Sequence, residues 1–170
     1  MADVLNFHGA FIDGLRDTYD AERQLTGTLP MLAESATSPV LRSVFESHLE
    51  ETREHVARLE QVFWLLDEPA RGRQCQDVAA ILDECMSILA ADLDDHATDE
   101  HLMACLQRVE QYEKAAYTTL VAWADRMRHS DVAGLLRLTL EDEMCADEAL
   151  SMLVEARYMT VAAPRRASRG

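Results

Sequence analysis

The sequence contains few of the residues that interrupt helices or form turns. Only 6 Gly and 4 Pro occur among 170 residues, whereas hydrophobic residues make up 48% of the chain. Leu, Ala and Glu recur throughout, and because these residues favour helices, little turn chemistry remains for a sheet. We therefore predict an all-α protein, and the length suits one domain with a core of its own.

Basic residues are also scarce. The chain carries 16 Lys and Arg against 31 Asp and Glu, which gives a formal net charge of -15. Such a charge repels nucleic acid and anionic membranes and attracts cations, so we expect neither of the first two as a partner. No run of about 18 apolar residues occurs, and the N-terminal MADVLNFHGAF lacks a basic segment followed by an apolar one. We therefore expect a cytoplasmic protein.

The cysteines lack the CxxC spacing that is typical of zinc sites. They are spread through segments with helical periodicity, at Cys75, Cys85, Cys105 and Cys145. This distribution indicates neither a zinc site nor a disulfide framework. We expect four reduced, buried thiols.

Four long segments carry apolar residues at intervals of three, four and seven, which is the spacing of one helix face. The long predicted helices cover residues 4–36, 39–66, 98–128 and 130–159, and a shorter one covers residues 75–91. Together they predict an antiparallel four-helix bundle with a long crossover that contains the short extra helix. The bundle should span residues 1–163, and the basic tail 164–170 should be disordered.

Local signals predict a kink and the starts of the long helices. Pro30 removes a backbone hydrogen bond, so it predicts a kink within the first long helix rather than its end. Ser38 as N-cap, followed by Pro39 at the first helical position, predicts the start of the second. The predicted caps of the last two long helices are Thr98, Ser130 and Asp131.

Acidic residues recur at matching positions in the two predicted hairpins. Glu22 and Glu113 are 91 residues apart, and Glu51 and Glu143 are 92 apart. Within each hairpin the separation is 29 or 30 residues, which leads along one helix and back to the same level on the next. The four carboxylates are therefore predicted to meet at one height of the core. Glu110, three residues before Glu113, lies on the same helix face.

Each hairpin also offers a second ligand on its returning helix. His55 follows Glu51 by four residues, and Asp147 follows Glu143 by four. Bundles that hold two iron or manganese ions take a Glu from each of two helices and a Glu with a second ligand from each of the others. The second ligand is then usually at the third residue after the Glu, where this chain has Glu54 on the second helix.

The sequence thus predicts a two-metal site. The predicted ligands are Glu22, Glu51, His55, Glu110, Glu113, Glu143 and Asp147. Glu54 remains an alternative to His55, and His48 is a further candidate because it lies three residues before Glu51. Oxygen ligands with at most one imidazole favour iron or manganese over copper or zinc. For each acidic residue taken alone, a solvated helix face is the competing interpretation.

Four segments carry a resemblance to a known family. They are LRDTYDAERQL, HLEETREHVARLEQVF, QRVEQYEKAAYTTL and TLEDEMCADEAL, within a match from Phe11 to Val154. They resemble the bacterial YciE/YciF-type ferritin-like family. The resemblance implies a ferritin-like bundle, usually a homodimer, with a di-metal centre and a role in stress response. It implies Glu22, Glu51, Glu110, Glu113, Glu143 and Asp147 as site positions.

Three functions fit these observations. The first is a ferroxidase-like oxidoreductase whose two iron ions react with dioxygen or hydrogen peroxide, with a manganese version that disproportionates peroxide as its variant. The second is a structural stress protein stabilised by metal without turnover. The third is an acidic helical module that binds a partner and lacks the metal. The sequence favours the first two.

Overall fold

The computed structural model describes the backbone of residues 2–91 and 93–162, and the side chains of residues 7–91 and 93–156. Five helices and no strand occur in these ranges. The helices are α1 (Ala2–Ser35), α2 (Pro39–Leu65), α3 (Gln76–Leu89), α4 (Asp95–Arg126) and α5 (Ser130–Ala162). The all-α prediction is confirmed, whereas the predicted disordered tail, 164–170, lies outside the described residues.

The helices form the predicted bundle. The α1–α2 and α4–α5 hairpins have the most extensive contacts, α2 packs on α5, and α1 packs on α4. The crossover helix α3 lies against α4 and α1. Within the described ranges, every helix is too short or too polar to cross a bilayer.

The turn between α1 and α2 is held by α4. Ser38 caps α2, with its side chain accepting a hydrogen bond from the Leu41 N–H and Pro39 at the first position, as predicted. The buried carboxylate of Asp99 accepts hydrogen bonds from the backbone N–H groups of Thr37 and Ser38 and from the Thr37 hydroxyl, at 2.9 to 3.0 Å. Helix α1 continues through Pro30, so the helix does not end there, and the kink stays a prediction.

The predicted start of α4 is wrong by one turn. Asp94, not Thr98, is the N-cap, and its Oδ1 accepts a hydrogen bond from the Ala97 N–H at 2.8 Å. The Thr98 N–H donates to the Asp94 carbonyl inside the first turn. Both residue types cap helices well, and the cap closer to the end of α3 is the one used.

The prediction of four reduced, buried thiols is also wrong. Cys85 on α3 and Cys105 on α4 form a disulfide, because the two helices pack with these Cα atoms 6.2 Å apart. Cys75 is free and buried, as predicted, whereas Cys145 is free and exposed. A disulfide between two helices depends on how the helices pack, so the spacing of the cysteines in the sequence does not predict it.

The interior consists of two apolar clusters at different levels of the bundle. One cluster contains the crossover helix and includes Leu25, Leu29, Phe45, Val78 and Leu106. The other includes Phe11, Leu15, Leu59, Tyr117 and Leu136. Each long helix passes through both clusters, so its residues between them lie at a common level of the bundle.

Candidate metal centre

A layer of buried polar side chains separates the two apolar clusters. We call it the polar layer. It comprises Glu22, His48, Thr52, His55, Glu110, Glu113, Thr139 and Glu143, each at most 2% exposed. Every long helix contributes to it. Buried ionisable groups are rare unless they are paired or bind metal, so this layer is the strongest candidate for a functional site.

Helix periodicity explains why these residues point inward. The buried positions of α2 follow one another at alternating intervals of four and three residues, which is the seam of a four-helix bundle. They are Leu41, Phe45, His48, Thr52, His55, Leu59 and Val62. The two histidines thus occupy seam positions that apolar residues occupy above and below. The buried positions Leu106, Glu110, Glu113, Tyr117 and Leu120 of α4 show the same spacing.

Four of the buried side chains form a first group. Glu110 and Glu113 of α4, Glu143 of α5 and His48 of α2 each offer a ligand atom, and these atoms lie within 4.8 Å of one another. His48 lies between the two glutamates of α4. Its Nδ1 is 3.3 Å from Glu110 Oε1, and its Nε2 is 3.5 Å from Glu113 Oε2.

A second group lies beside the first and shares one residue with it. It consists of Glu22, His55 and Glu143, again with ligand atoms within 4.8 Å of one another. His55 Nδ1 is 2.9 Å from Glu143 Oε1 and 3.5 Å from Glu22 Oε1. Glu143 belongs to both groups, so its carboxylate could contribute a ligand atom to each.

The protein itself leaves much of this layer without hydrogen bonds. Ten buried side-chain nitrogen and oxygen atoms of the two groups have no hydrogen-bond partner in the described part of the chain. They include both ring nitrogens of His48 and His55 and both carboxylate oxygens of Glu113 and Glu143. An unsatisfied buried polar atom costs about 1 to 3 kcal/mol. The donor set fits metal ions, each of which would be held by a few of these atoms.

Burial shifts the protonation equilibria of the layer. It raises the pKa of Glu110 to about 9, with the neighbouring Glu143 and Glu113 adding to the effect and His48 opposing it. It also raises the pKa of Glu113 well above its ordinary value. Burial lowers the pKa of His55, but contacts with Glu143 and Glu22 outweigh it and raise that pKa to about 11. Without metal, the layer therefore retains protons at neutral pH, and metal must displace them.

Tyr117 of α4 contacts a member of the second group, Glu22. Its hydroxyl donates a hydrogen bond to Glu22 Oε1 at 2.6 Å, and the whole side chain is buried. Burial and the nearby Glu22 raise the pKa of the Tyr117 hydroxyl well above its ordinary value. The neutral phenol therefore fixes one oxygen of Glu22, while Oε2 has no hydrogen-bond partner among the described residues.

The solvent side of the layer is formed by α2 and α5. Glu51 is half-buried here, and desolvation raises its pKa, opposed by the nearby His48 and His55. Asp142 of α5 lies 3.5 Å from His55 Nε2 and forms an ion pair with Arg58. Carboxylates thus extend from the buried groups to the surface along this edge.

The structure brings together five of the seven ligands predicted from the sequence. They are Glu22, His55, Glu110, Glu113 and Glu143. Glu51 lies at the edge of the layer, because the seam continues from His48 to Thr52 and Glu51, one residue before Thr52, points about 100° away from it around the helix. Glu54, the alternative on α2, is exposed and pairs with Arg58. The role of all these residues as ligands stays a prediction.

Asp147 lies outside both groups. Its carboxylate contacts Lys114 Nζ at 2.5 Å and Gln111 Nε2 at 2.9 Å, between α4 and α5 at the surface. The seam continues from Glu143 to Leu150, and the position between them is three residues after Glu143, which is Ala146. One residue further around the helix, Asp147 faces α4 instead of the interior.

The structure adds two residues to the predicted site. His48 was a secondary candidate, and the signal for it is its seam spacing from Phe45 and His55. Tyr117 was not predicted, although it follows Glu113 by four residues and so lies on the same helix face. Tyr19, one turn before Glu22, lies outside both groups, and its hydroxyl donates a hydrogen bond to Glu60 Oε1 at 2.9 Å.

Comparison with known proteins agrees with this architecture. A family model described as a domain of unknown function, DUF892, matches residues 6–163. The chain belongs to the DUF892 family. Protein YciF of Escherichia coli (strain K12) is 34% identical to this DUF892 protein over 144 residues, which is 84% of this chain and 87% of YciF. The resemblance to the YciE/YciF-type family is therefore confirmed.

Solved structures resemble this DUF892 protein over most of its length. The E. coli stress protein YciF matches with a TM-score of 0.83 and 33% identity, over 86% of this chain and 93% of YciF. YcfI of Rhodopseudomonas palustris, to which a structural role is provisionally ascribed, matches with a TM-score of 0.83 and 36% identity, over 85% and 92%. A Xanthomonas campestris protein shares the fold, with a TM-score of 0.71, 20% identity and coverages of 91% and 95%.

Proposed function

We propose that this protein binds two iron ions in the polar layer and oxidises Fe(II) with dioxygen or hydrogen peroxide, as part of a stress response. The observation that carries the proposal is the pair of buried ligand groups that share Glu143. A shared carboxylate between two ligand sets is the arrangement that two-metal carboxylate bundles use.

The charge of the layer supports two ions. Its buried carboxylates are Glu22, Glu110, Glu113 and Glu143. When ionised, they carry four negative charges, and two divalent cations carry four positive charges. Because uncompensated buried charge costs several kcal/mol per ion, two bound cations are the occupancy that makes the layer neutral.

The ligand chemistry supports iron, with manganese as the alternative. The two groups offer oxygens from four carboxylates and nitrogens from two imidazoles. This set is harder than the thiolate and imidazole sites that favour copper or zinc. The second imidazole, from His48, moves the set slightly towards nitrogen ligands without changing this preference.

The carboxylates of the layer, the apolar clusters beside it and Glu51 at its edge have different parts in the proposed reaction. Two Fe(II) ions supply the two electrons that reduce hydrogen peroxide and two protons to two water molecules. The carboxylates favour the more positive ferric state through their charge. The apolar clusters exclude bulk water from both ends of the layer, and the half-buried Glu51 marks the side from which ions and oxidant approach.

The proposal is tested by anaerobic titration of metal-free protein with Fe(II), followed by hydrogen peroxide or dioxygen. We expect two ions bound per chain and a rapid rise of the near-ultraviolet absorption of ferric carboxylate. Glu143→Gln should weaken binding at the first group and abolish it at the second, which would keep only Glu22 and His55. The matched control is Glu141→Gln, which changes an exposed carboxylate on the same helix. Absence of stoichiometric binding in the unchanged protein would refute the proposal.

A second function is favoured by the position of the layer. All four long helices contribute to it, so bound metal would also hold the bundle together, and a relative carries a structural description. A purely structural site predicts metal-dependent thermal stability without consumption of oxidant. A manganese site predicts oxygen release from peroxide without net oxidation. The homodimer and the cytoplasmic location remain predictions from the sequence.

A further inference from the structure

The ring of His55 has two different surroundings. Its Nδ1 faces the interior, 2.9 Å from Glu143 and 3.5 Å from Glu22, and these are the partners with which it forms the second ligand group. Its Nε2 faces the opposite way, 3.5 Å from Asp142 Oδ2. The His55 side chain is 1% exposed, whereas that of Asp142 is 39% exposed. A buried imidazole thus lies between the ligand group and a carboxylate that reaches solvent.

Asp142 is itself held in place. The guanidinium of Arg58, one turn after His55 on α2, pairs with the same Oδ2 that faces His55. Arg58 also donates to the Thr139 hydroxyl at 3.3 Å. Its side chain is only 22% exposed, so the pair is less screened by solvent than a surface ion pair. Arg58 therefore restrains the carboxylate at the outer edge of the imidazole.

We propose that Asp142, held by Arg58, is a positioning residue that accepts the Nε2–H of His55 and thereby directs the Nδ1 lone pair of His55 to metal. The inference rests on the proposed function, because it concerns a ligand of the same site. Neutral imidazole has one N–H and one lone pair, so a carboxylate that binds the N–H determines which nitrogen is the ligand. The distance of 3.5 Å is about 0.5 Å longer than an ordinary N–H···O bond, so the proposal requires the two groups to approach by that amount when metal binds.

His48 provides an internal contrast. Both of its ring nitrogens face carboxylates of the first ligand group, with Nδ1 near Glu110 and Nε2 near Glu113. In the described part of the chain, the carboxylates within ion-pair distance of His48 both belong to the ligand groups. Loss of Asp142 should weaken metal binding beside His55 and leave metal binding beside His48 largely unaffected.

The test measures metal affinity and the ligating nitrogen. Co(II) titrations followed by visible absorption give the affinity, and Zn(II)-loaded protein with ¹⁵N-labelled histidine shows by long-range ¹H–¹⁵N correlation which ring nitrogen binds. His55 signals are assigned with His55→Gln. The variants are Asp142→Ala, Asp142→Asn, which keeps one accepting oxygen, and Arg58→Met. Glu141→Ala is the matched control, because it removes the neighbouring exposed carboxylate.

We expect the unchanged protein to show Nδ1-bound His55 with a proton on Nε2. Asp142→Ala should lower the metal affinity of the second ligand group about 10- to 100-fold. Asp142→Asn should recover part of this loss, and Glu141→Ala should leave the affinity unchanged. Retained helicity in circular dichroism excludes misfolding as the cause, and Arg58→Met should give a smaller loss of the same kind.

Two results would overturn the inference without affecting the proposed function. They are a metal-bound Nε2 on His55, and equal affinity in Asp142→Ala and Glu141→Ala. A protein that binds neither Co(II) nor Zn(II) nor Fe(II) would overturn both the inference and the proposed function.

Discussion

Replacing Glu110 by glutamine tests whether the polar layer holds protons when metal is absent. Glu110 is 1% exposed, and burial raises its pKa from 4.5 to about 9. At neutral pH the folded protein therefore carries Glu110 as the neutral acid, whereas the unfolded chain carries it as the carboxylate. Glutamine resembles the neutral acid in shape and remains uncharged in both states. The variant should thus fold without taking up this proton.

The size of the effect follows from the two pKa values. Between pH 4.5 and about 9 the folded state binds more protons than the unfolded state, so the stability of the metal-free protein falls as the pH rises. Each pH unit changes the free energy of unfolding by about 1.4 kcal/mol per proton. The penalty from Glu110 is then about 1 kcal/mol at pH 5 and up to about 3 kcal/mol at pH 7. Glu110→Gln should remove it, and its gain should grow over this interval.

Urea denaturation at pH 5, 6 and 7 in the presence of a chelator measures this gain. Any pH-independent difference between the glutamine and the acid cancels when the gains at two pH values are compared. Glu141→Gln, at an exposed position of α5, controls for the loss of one negative charge. With metal added the sign should reverse, because the variant lacks a ligand. A gain that is equal at pH 5 and pH 7 would refute the protonated, buried state of Glu110.

Three further changes probe the supports of the site. Asp99→Ala should destabilise the protein by about 2 to 4 kcal/mol in urea denaturation, because three donors of the α1–α2 turn lose their acceptor, and Asp99→Asn should be milder. Reduction of the Cys85–Cys105 disulfide, which spans 20 residues, should lower the free energy of unfolding by about 3 kcal/mol. The stability of the Cys85→Ser variant should not change when reductant is added. Tyr117→Phe should cost about 1 to 3 kcal/mol, because it leaves a buried Glu22 oxygen unpaired; no change in the denaturation midpoint would contradict this.

The bundle was predictable because its signal is distributed over many residues. Each long helix repeats an apolar face over at least seven turns, so an error at one position does not change the helix. The start of α4 depends on a single capping residue instead. Asp94 and Thr98 are both good caps, and the choice between them depends on where the crossover meets α4.

The ligands were harder to predict than the helices. The repeat of acidic residues indicated the common level of Glu22, Glu113 and Glu143, because each level is set by distance along a helix. It did not indicate the rotation of α2. Glu51 and His48 are three residues apart, and the packing of Phe45 and Leu59, both at most 1% exposed, is what turns His48 inward and leaves Glu51 at the edge.

A search for apolar residues alone misses this seam where it passes through the polar layer. The seam of α2 changes from Phe45 to three polar residues, His48, Thr52 and His55, and returns to apolar residues at Leu59. A search for apolar spacing skips this interval and selects residues such as Val40, which is 57% exposed. The interruption itself is the signal, because buried polar residues in seam register indicate a polar site in the core.

The two candidate ligand groups are unequal, and this bears on the proposed oxidation of Fe(II). The first group has four protein ligands, whereas the second has three, from Glu22, His55 and Glu143. A metal ion that serves only to stabilise a fold is usually enclosed by protein ligands, and a catalytic ion keeps a position open. The second group also adjoins the edge where Asp142 reaches solvent. In the proposed two-metal site, an ion beside His55 would therefore be the one that an oxidant reaches, and an ion beside His48 would mainly hold α2, α4 and α5 together.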